Sequence, residues 1–167
     1  TKSALTYSQN VLDSTNAFTL EVSESQLDGL PERAKAAARA AAEERGKEGY
    51  VLTLQAPSFV PALTYLRDGT LRETIYRALS TRATSGDHDN RALLDRIVAL
   101  RKEKAQLLGY ATFADMVLEE RMAGSGRAAM HFVADLEART QPAFERETEE
   151  LMAFRRELEG DDAPPLQ

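Results

Sequence analysis

The chain has 167 residues, which predicts one domain large enough to bury a single hydrophobic core. Hydrophobic residues make up 43% and charged residues 29%, a composition that argues against a disordered or collagen-like chain. The formal charge of −6 argues against nucleic-acid binding and against docking on anionic lipid. There is no cysteine, which excludes disulfides, thiolate zinc sites and cysteine nucleophiles and fits a reducing, cytoplasmic location.

The two ends of the sequence carry no targeting pattern. No stretch approaches the roughly 18 uncharged apolar residues that a membrane-spanning helix needs, and no basic-then-apolar signal segment opens the chain. The chain begins at Thr1 rather than at a methionine, and residues 161–167 (DDAPPLQ) have the composition of a linker. We therefore expect an excised piece of a longer protein.

Residues 1–62 predict a strand–helix–strand region. Hydrophobic residues alternate over residues 18–22, the period of a half-buried strand, and residues 51–54 are a second candidate strand. Between them, Pro31 suits the first position of an alanine-rich helix and Gly46 the residue just past its end. This order is a crossover unit, so the two strands could pair. Pro57 and Pro61 then predict a break in regular structure over residues 56–62.

Residues 63–160 predict consecutive helices. Thr70 and Glu73 have the spacing of a capping box that opens a helix to about residue 83. One face of that helix is apolar at four-residue steps, with Leu71, Ile75 and Leu79.

Three more helices follow, and each has a side chain that suits its N-terminus. Asp89 or Asn90 precedes a helix that Gly109 ends, and Thr112 precedes a short helix to about residue 122. Ser125 precedes the last stretch, residues 127–158, which Pro142 should kink or divide near Gln141.

The two histidines are the only candidates for a transition-metal site. His88 lies between Asp87 and Asp89, and His131 is four residues before Asp135 on a predicted helix. A zinc site needs three or four ligands in tetrahedral arrangement, and no further ligand is apparent. A polar helix-capping loop at His88 and an ordinary ion pair or half-buried histidine at His131 are therefore the favoured interpretations. No H-E-x-x-H motif is present.

Other catalytic motifs are incomplete. Gly124–Gly126 is not a G-x-S-x-G elbow, Gly46-Lys47 lacks the rest of a phosphate loop, and Ser80-Thr81 has no neighbouring base. Residues 145–150 are glutamate-rich but interleave with arginines, which favours a solvated helix face. Three arginines lie five residues apart, a spacing that turns around a helix and so forms no phosphate-binding stripe: Arg72, Arg77 and Arg82. Four aromatic residues are predicted to be core: Tyr65, Tyr76, Tyr110 and Phe113.

An ordered series of motifs nevertheless runs along the chain. Residues 50–65 (YVLTLQAPSFVPALTY) match the pattern G-[WY]-x-[LV]-T-L-x-x-P-[SH]-[YF]-x-P-[VA]-[ML]-x-Y from its second position onward. Residues 71–83 carry R-E … A … T-R-A, residues 89–110 carry D-N … L-R … A-x-L-L-G-Y, and residues 10–15 and 27–31 also fit. The series resembles the thimet oligopeptidase family and comes nearest to its oligopeptidase A and peptidyl-dipeptidase branch.

The resemblance implies a zinc metallopeptidase that cleaves short peptides. Members of that family are mainly helical, with two lobes that enclose a narrow channel. Two histidines of an H-E-x-x-H helix and a later glutamate hold the zinc, and the glutamate of that motif activates the metal-bound water. In such proteins that helix lies well downstream of the segment seen here, so no residue of this chain receives a catalytic or metal-binding role.

We therefore expect a mainly α chain with a small two-stranded β element, part of a two-lobed helical peptidase. Residues 1–167 would be one non-catalytic segment that walls the channel, with zinc and the short peptide substrate bound elsewhere in the full-length enzyme. Its partner would be the remainder of the same chain, and the isolated segment is expected to self-associate through residues 127–158. The alternative is a free-standing helical interaction module.

Overall fold

The computed structural model describes residues 2–165. The chain is mainly α with one small two-stranded sheet, as predicted. The elements in chain order are α1 (Lys2–Ala17), β1 (Thr19–Val22), α2 (Glu32–Glu43), β2 (Tyr50–Thr53), α3 (Ala56–Tyr65), α4 (Gly69–Ser80), α5 (Arg91–Leu107), α6 (Phe113–Leu118) and α7 (Gly126–Glu159), with short 3₁₀ turns at Glu24–Leu27 and Gly86–His88.

The chain divides into two compact units, Thr1–Ala99 and Leu100–Gln167, so that α5 begins in the first and ends in the second. Of the predicted linker, residues 161–165 contain neither helix nor strand, whereas residues 166 and 167 lie outside the described part. None of the described helices combines the length and the apolar character that crossing a bilayer would require.

The two strands pair, but they run antiparallel, with Thr19 opposite Thr53 and Val22 opposite Tyr50. A crossover joins parallel strands. The interpretation of this region as a crossover unit was therefore wrong, and residues 23–49 form a long hairpin connection that contains α2. A two-stranded sheet is marginal by itself. Here α2 and α3 pack against β2, where Val51 and Leu52 are fully buried.

The core of the first unit lies between the sheet and three helices. Leu27, Leu52 and Ile75 are among its largest fully buried side chains. The four-residue apolar period of α4 is confirmed, because Leu71 and Ile75 are buried and Leu79 packs half-buried against them. Complete burial of one such side chain stabilises the fold by roughly 1.5–3 kcal/mol.

The break predicted over residues 56–62 was wrong, because α3 is a helix that contains both prolines. Pro57 lies in the first turn, where a backbone N–H has no acceptor within the helix. Pro61 removes one internal hydrogen bond. Burial of Ala62 against the core and capping contacts from Gln55 hold this short helix in place.

The capping box predicted for α4 was also wrong. The Asp68 carboxylate accepts hydrogen bonds from the backbone N–H groups of Thr70 (2.9 Å) and Leu71 (3.1 Å), which makes Asp68 the N-cap. Glu73 instead pairs with Arg77 at 2.7 Å. The helix ends at Ser80, three residues earlier than predicted.

The caps predicted in the second unit are confirmed. The Thr112 hydroxyl accepts the Asp115 N–H at 3.0 Å, and the Ser125 hydroxyl accepts the Ala128 N–H at 3.2 Å. Helix α6 is shorter than predicted and ends at Leu118. Helix α7 continues from Gly126 to Glu159 through Pro142, so the predicted division does not occur.

Candidate functional site

The motif residues of α1 and those around the start of α5 meet in one polar junction. Asn90 is only 2% exposed, and its side-chain oxygen accepts a hydrogen bond from the Asn10 amide at 2.8 Å. Its side-chain nitrogen donates to the Tyr7 carbonyl at 3.1 Å. A buried amide has to find such partners, because leaving them unpaired costs about 1–3 kcal/mol each. The D-N motif therefore fixes α1 to the start of α5.

The second half of the junction joins the T-R-A motif to the same helix. The Ser14 hydroxyl accepts the Ala83 N–H at 3.1 Å, and the Arg82 guanidinium donates to the Thr15 hydroxyl oxygen at 3.1 Å. Ala83 is buried with φ +53°, a left-handed conformation that L residues adopt at a cost. Its carbonyl accepts the Asn90 N–H at 2.8 Å, so hydrogen bonds on both sides hold this conformation.

A further motif, residues 27–31, anchors the hairpin connection to the end of α3. The Asp28 carbonyl accepts the Arg67 N–H at 3.0 Å. Gly29 has φ +86°, and a Cβ there would lie 2.3 Å from the Tyr65 carbonyl oxygen. Only glycine fits such a close approach of two backbones. This motif, too, acts on the packing of the chain.

The contacts around His88 belong to a polar turn. It is half-buried in the 3₁₀ turn before α5. The Asp89 carboxylate is bound instead by the Arg91 guanidinium, at 2.6 Å to the nearest nitrogen, and by the Arg91 backbone N–H at 2.9 Å. These hydrogen bonds hold the pKa of Asp89 below its ordinary value and raise that of Arg91. The favoured interpretation of a polar, helix-capping loop is confirmed for Asp89.

His131 lies exposed on α7, and the neighbouring carboxylate of Asp135 pairs with Arg139 at 2.9 Å. The favoured interpretations of His131, an ion pair with Asp135 or a half-buried histidine, were therefore wrong. Within residues 2–165, no three His, Cys, Asp or Glu side chains come together in a group that could hold a metal ion.

Of the other residues singled out in the sequence, Arg72 makes local contacts. Arg72 donates to the Leu66 carbonyl and, at 3.0 Å, to the Arg67 carbonyl, which satisfies the C-terminal end of α3. The prediction that Tyr65 and Tyr76 are core was wrong, because they are 53% and 61% exposed.

The other two aromatics, Tyr110 and Phe113, are half-buried in the second unit. The Arg101 guanidinium lies 5.2 Å from the centre of the Phe113 ring, and the Tyr110 hydroxyl hydrogen-bonds to Glu119, which raises the pKa of the tyrosine. These contacts involve side chains of one short stretch of chain and organise the turn between α5 and α6.

Asp115 is the organising carboxylate that sequence reasoning missed. It accepts the Thr112 hydroxyl at 2.7 Å and the Gly126 N–H at 2.9 Å, so that it joins the start of α6 to the start of α7. These two hydrogen bonds lower its pKa from the ordinary value. The spacing of Thr112 and Asp115 resembles a capping box, and a helix N-terminus favours an anion, so a signal was present.

The polar groups of these junctions are therefore engaged with each other. No buried side-chain nitrogen or oxygen in the described part lacks a hydrogen-bond partner. A groove of about 170 Å³ beside α2 and β2 is lined by four alanines and by other uncharged residues, with no charged side chain. The hydrogen bonds of this arrangement hold distant segments of the scaffold together.

The sequence model of Peptidase family M3 matches residues 62–165, more than half of the chain. The chain belongs to peptidase family M3. It is similar to Oligopeptidase A of Salmonella typhimurium and of Escherichia coli, each 45% identical over 154 residues that cover 89% of this chain and 23% of the relative. It is also similar to Dipeptidyl carboxypeptidase of Salmonella typhimurium, at 34% identity over 158 residues, 93% of this chain and 23% of the relative.

These matches confirm the family that the motif series indicated. The chain spans about 23% of the length of the oligopeptidase A relatives it matches. The M3 match includes α4, α5, α6, α7 and the last four residues of α3, so the family likeness coincides with the helical scaffold just described.

Proposed function

We propose that these residues form a non-catalytic helical part of an oligopeptidase A-like zinc metallopeptidase that hydrolyses short peptides. Membership of family M3 and 45% identity to two oligopeptidases A support the class of enzyme. The observation that carries the non-catalytic role is the polar junction, in which Asn90, Arg82 and their α1 partners hydrogen-bond to one another. In this proposal these side chains hold α1 against residues 82–90, and none of them is directed at a substrate.

In this proposal the whole chain is one segment of a cytoplasmic, two-lobed enzyme. Zinc, the general base and the peptide-binding residues come from the remainder of the longer polypeptide, and the helices seen here help to wall a channel that admits only short, unstructured peptides. The absence of cysteine is compatible with a reducing compartment.

The decisive experiment compares two lengths of the same gene product. Residues 1–167 incubated with zinc and a quenched fluorescent peptide should give no turnover. The product of the complete reading frame should cleave the same peptide, and a chelator should abolish that cleavage. Chelator-sensitive cleavage by residues 1–167 alone would contradict the non-catalytic role.

A free-standing helical interaction module is the second candidate, and the exposed apolar residues of α7 are the observation that favours it. The two candidates predict different coding sequences downstream of Gln167. An H-E-x-x-H motif there would support the peptidase, and a stop codon would support the module.

A further inference from the structure

Helix α7 is 34 residues long, about 51 Å, and none of its residues is buried. At 100° per residue, six of its large apolar side chains fall within about 80° of arc on one face. Each of them is between 49% and 70% exposed. We define these six as the α7 stripe: Val133, Leu136, Phe144, Leu151, Phe154 and Leu158.

The surface of the chain is larger than its mass requires. Its accessible area is 12,376 Å², whereas a compact monomer of this mass exposes about 8,200 Å². Even two separate compact bodies with the lengths of the two units would expose only about 10,000 Å². The excess is roughly 2,400 Å². An exposed apolar patch larger than a few hundred Å² marks an interaction surface.

A charged residue within the stripe, Glu147, restricts which kind of surface can cover the stripe. Glu147 lies within the stripe, about 20° from its centre line and between Phe144 and Leu151 along the chain. The ion pairs of α7 involve other carboxylates, those of Asp135, Glu150 and Glu159. Among the described residues, Glu147 has no ion-pair partner. Covering it without a cation would bury an unpaired charge, which proteins avoid.

A second copy of α7 fits this charge poorly. If two stripes overlapped completely in antiparallel orientation, Glu147 of each copy would face Phe144 of the other. The two carboxylates would then lie about 4.5 Å apart along the helix axis, in the middle of an apolar seam. Like charges so close together in a desolvated site repel each other strongly. A different apolar surface, with a basic side chain opposite Glu147, would cover the stripe and pair its charge.

We propose that the α7 stripe docks onto the remainder of the peptidase polypeptide, through an apolar surface that places a Lys or Arg opposite Glu147. This inference rests on the proposed function. The chain spans only 23% of its oligopeptidase A relatives, so a longer M3 polypeptide has ample surface to supply this partner. The M3 match extends through Pro165 and includes the whole stripe, which places the stripe in the part of the chain that family members share.

The test uses the product of the complete reading frame and two matched pairs of variants. Leu136→Asp places a charge on the stripe, and Ala138→Asp places the same charge two residues away on the opposite, exposed face. Glu147→Lys reverses the central charge, and Glu149→Lys makes the same change on the opposite face. Limited proteolysis within α7, at constant protease concentration, measures how often the helix is released.

Leu136→Asp and Glu147→Lys should raise the cleavage rate within α7 about tenfold or more, whereas Ala138→Asp and Glu149→Lys should leave it within about twofold. Equal cleavage in stripe and control variants would overturn the proposal. Light scattering that shows a wild-type dimer, converted to monomer by Leu136→Asp with no change in cleavage, would assign the stripe to a second copy and also overturn it.

Peptidase activity of the wild-type product is measured separately. An inactive product whose α7 is protected in this stripe-dependent manner would contradict the proposed function and leave the docking surface intact. An active product in which all four variants behave like wild type would contradict only the docking surface. A reading frame that ends at Gln167 would contradict both.

Discussion

Replacement of Asn90 by alanine tests whether the polar junction carries the stability of the first unit. The Asn90 side chain is 2% exposed and makes two hydrogen bonds, to Asn10 and to the Tyr7 carbonyl. Each is worth roughly 0.5–1.5 kcal/mol net, and the partners left behind lose part of their solvation. We expect Asn90→Ala to lower the free energy of unfolding by about 2–3 kcal/mol. In a unit of about 100 residues this corresponds to a fall in melting temperature of about 10–20 °C.

Urea unfolding followed by circular dichroism measures this loss. Asp87→Ala changes an exposed residue of the same turn and should stay within about 0.5 kcal/mol of wild type. Adding Asn10→Ala completes a double-mutant cycle, which should give a coupling of about 1 kcal/mol between Asn10 and Asn90. An Asn90→Ala protein within about 0.5 kcal/mol of wild type, or a cycle without coupling, would refute the reasoning.

Two further predictions concern single carboxylates. Asp68→Ala removes the N-cap of α4 and should lower the free energy of unfolding, measured in urea, by about 1 kcal/mol. Glu73→Gln should change it by less than about 0.5 kcal/mol. A larger loss from Glu73→Gln than from Asp68→Ala would instead support the capping box formed by Thr70 and Glu73. The pKa of Asp115 is lowered, so its stabilising effect is present above the ordinary carboxyl value and is lost as the pH falls through the lowered one. Asp115→Asn should therefore flatten the acid side of the thermal-stability profile, and an unchanged acid side would count against the α6–α7 link.

The parts of the fold that the sequence predicted are those that depend on neighbours within a few residues. The strand alternation over residues 18–22 and the apolar period of α4 were confirmed, because both reflect which face meets the core. The caps at Thr112 and Ser125 were confirmed because a hydroxyl reaches backbone N–H groups only two or three residues ahead. Such contacts need no knowledge of distant chain segments.

The wrong predictions arose where a local rule allowed two outcomes. Two residues near the start of α4 could cap it, and Asp68 prevails because its carboxylate reaches two N–H groups while Glu73 pairs with Arg77. The prolines of α3 favoured a break, yet a proline in the first turn is compatible with a helix. Pro142 lies inside a 34-residue helix, whose many remaining hydrogen bonds continue on both sides of the lost one.

Helix α1 escaped prediction for a different reason. Few of its residues are large and apolar, so the sequence offers little core-facing surface from which to predict a helix. Its stability comes from Asn10, Ser14 and Thr15, whose partners lie 67 to 80 positions away in the chain. A single sequence contains no indication of which distant residues will meet, so neither the helix nor the junction could be derived from it.

The junction also explains why motifs so far apart belong to one resemblance. Residues 10–15 and residues 82–90 match the same family series, and in the structure they hydrogen-bond to each other. A change on one side removes a partner from the other, because the hydrogen bonds join specific atoms across the two segments. These motif residues therefore belong to one family series because they form the contacts that stabilise the scaffold. Under the proposed function, a scaffold whose polar groups are already paired can shape a peptide channel, while the groups that polarise an amide belong to the rest of the enzyme.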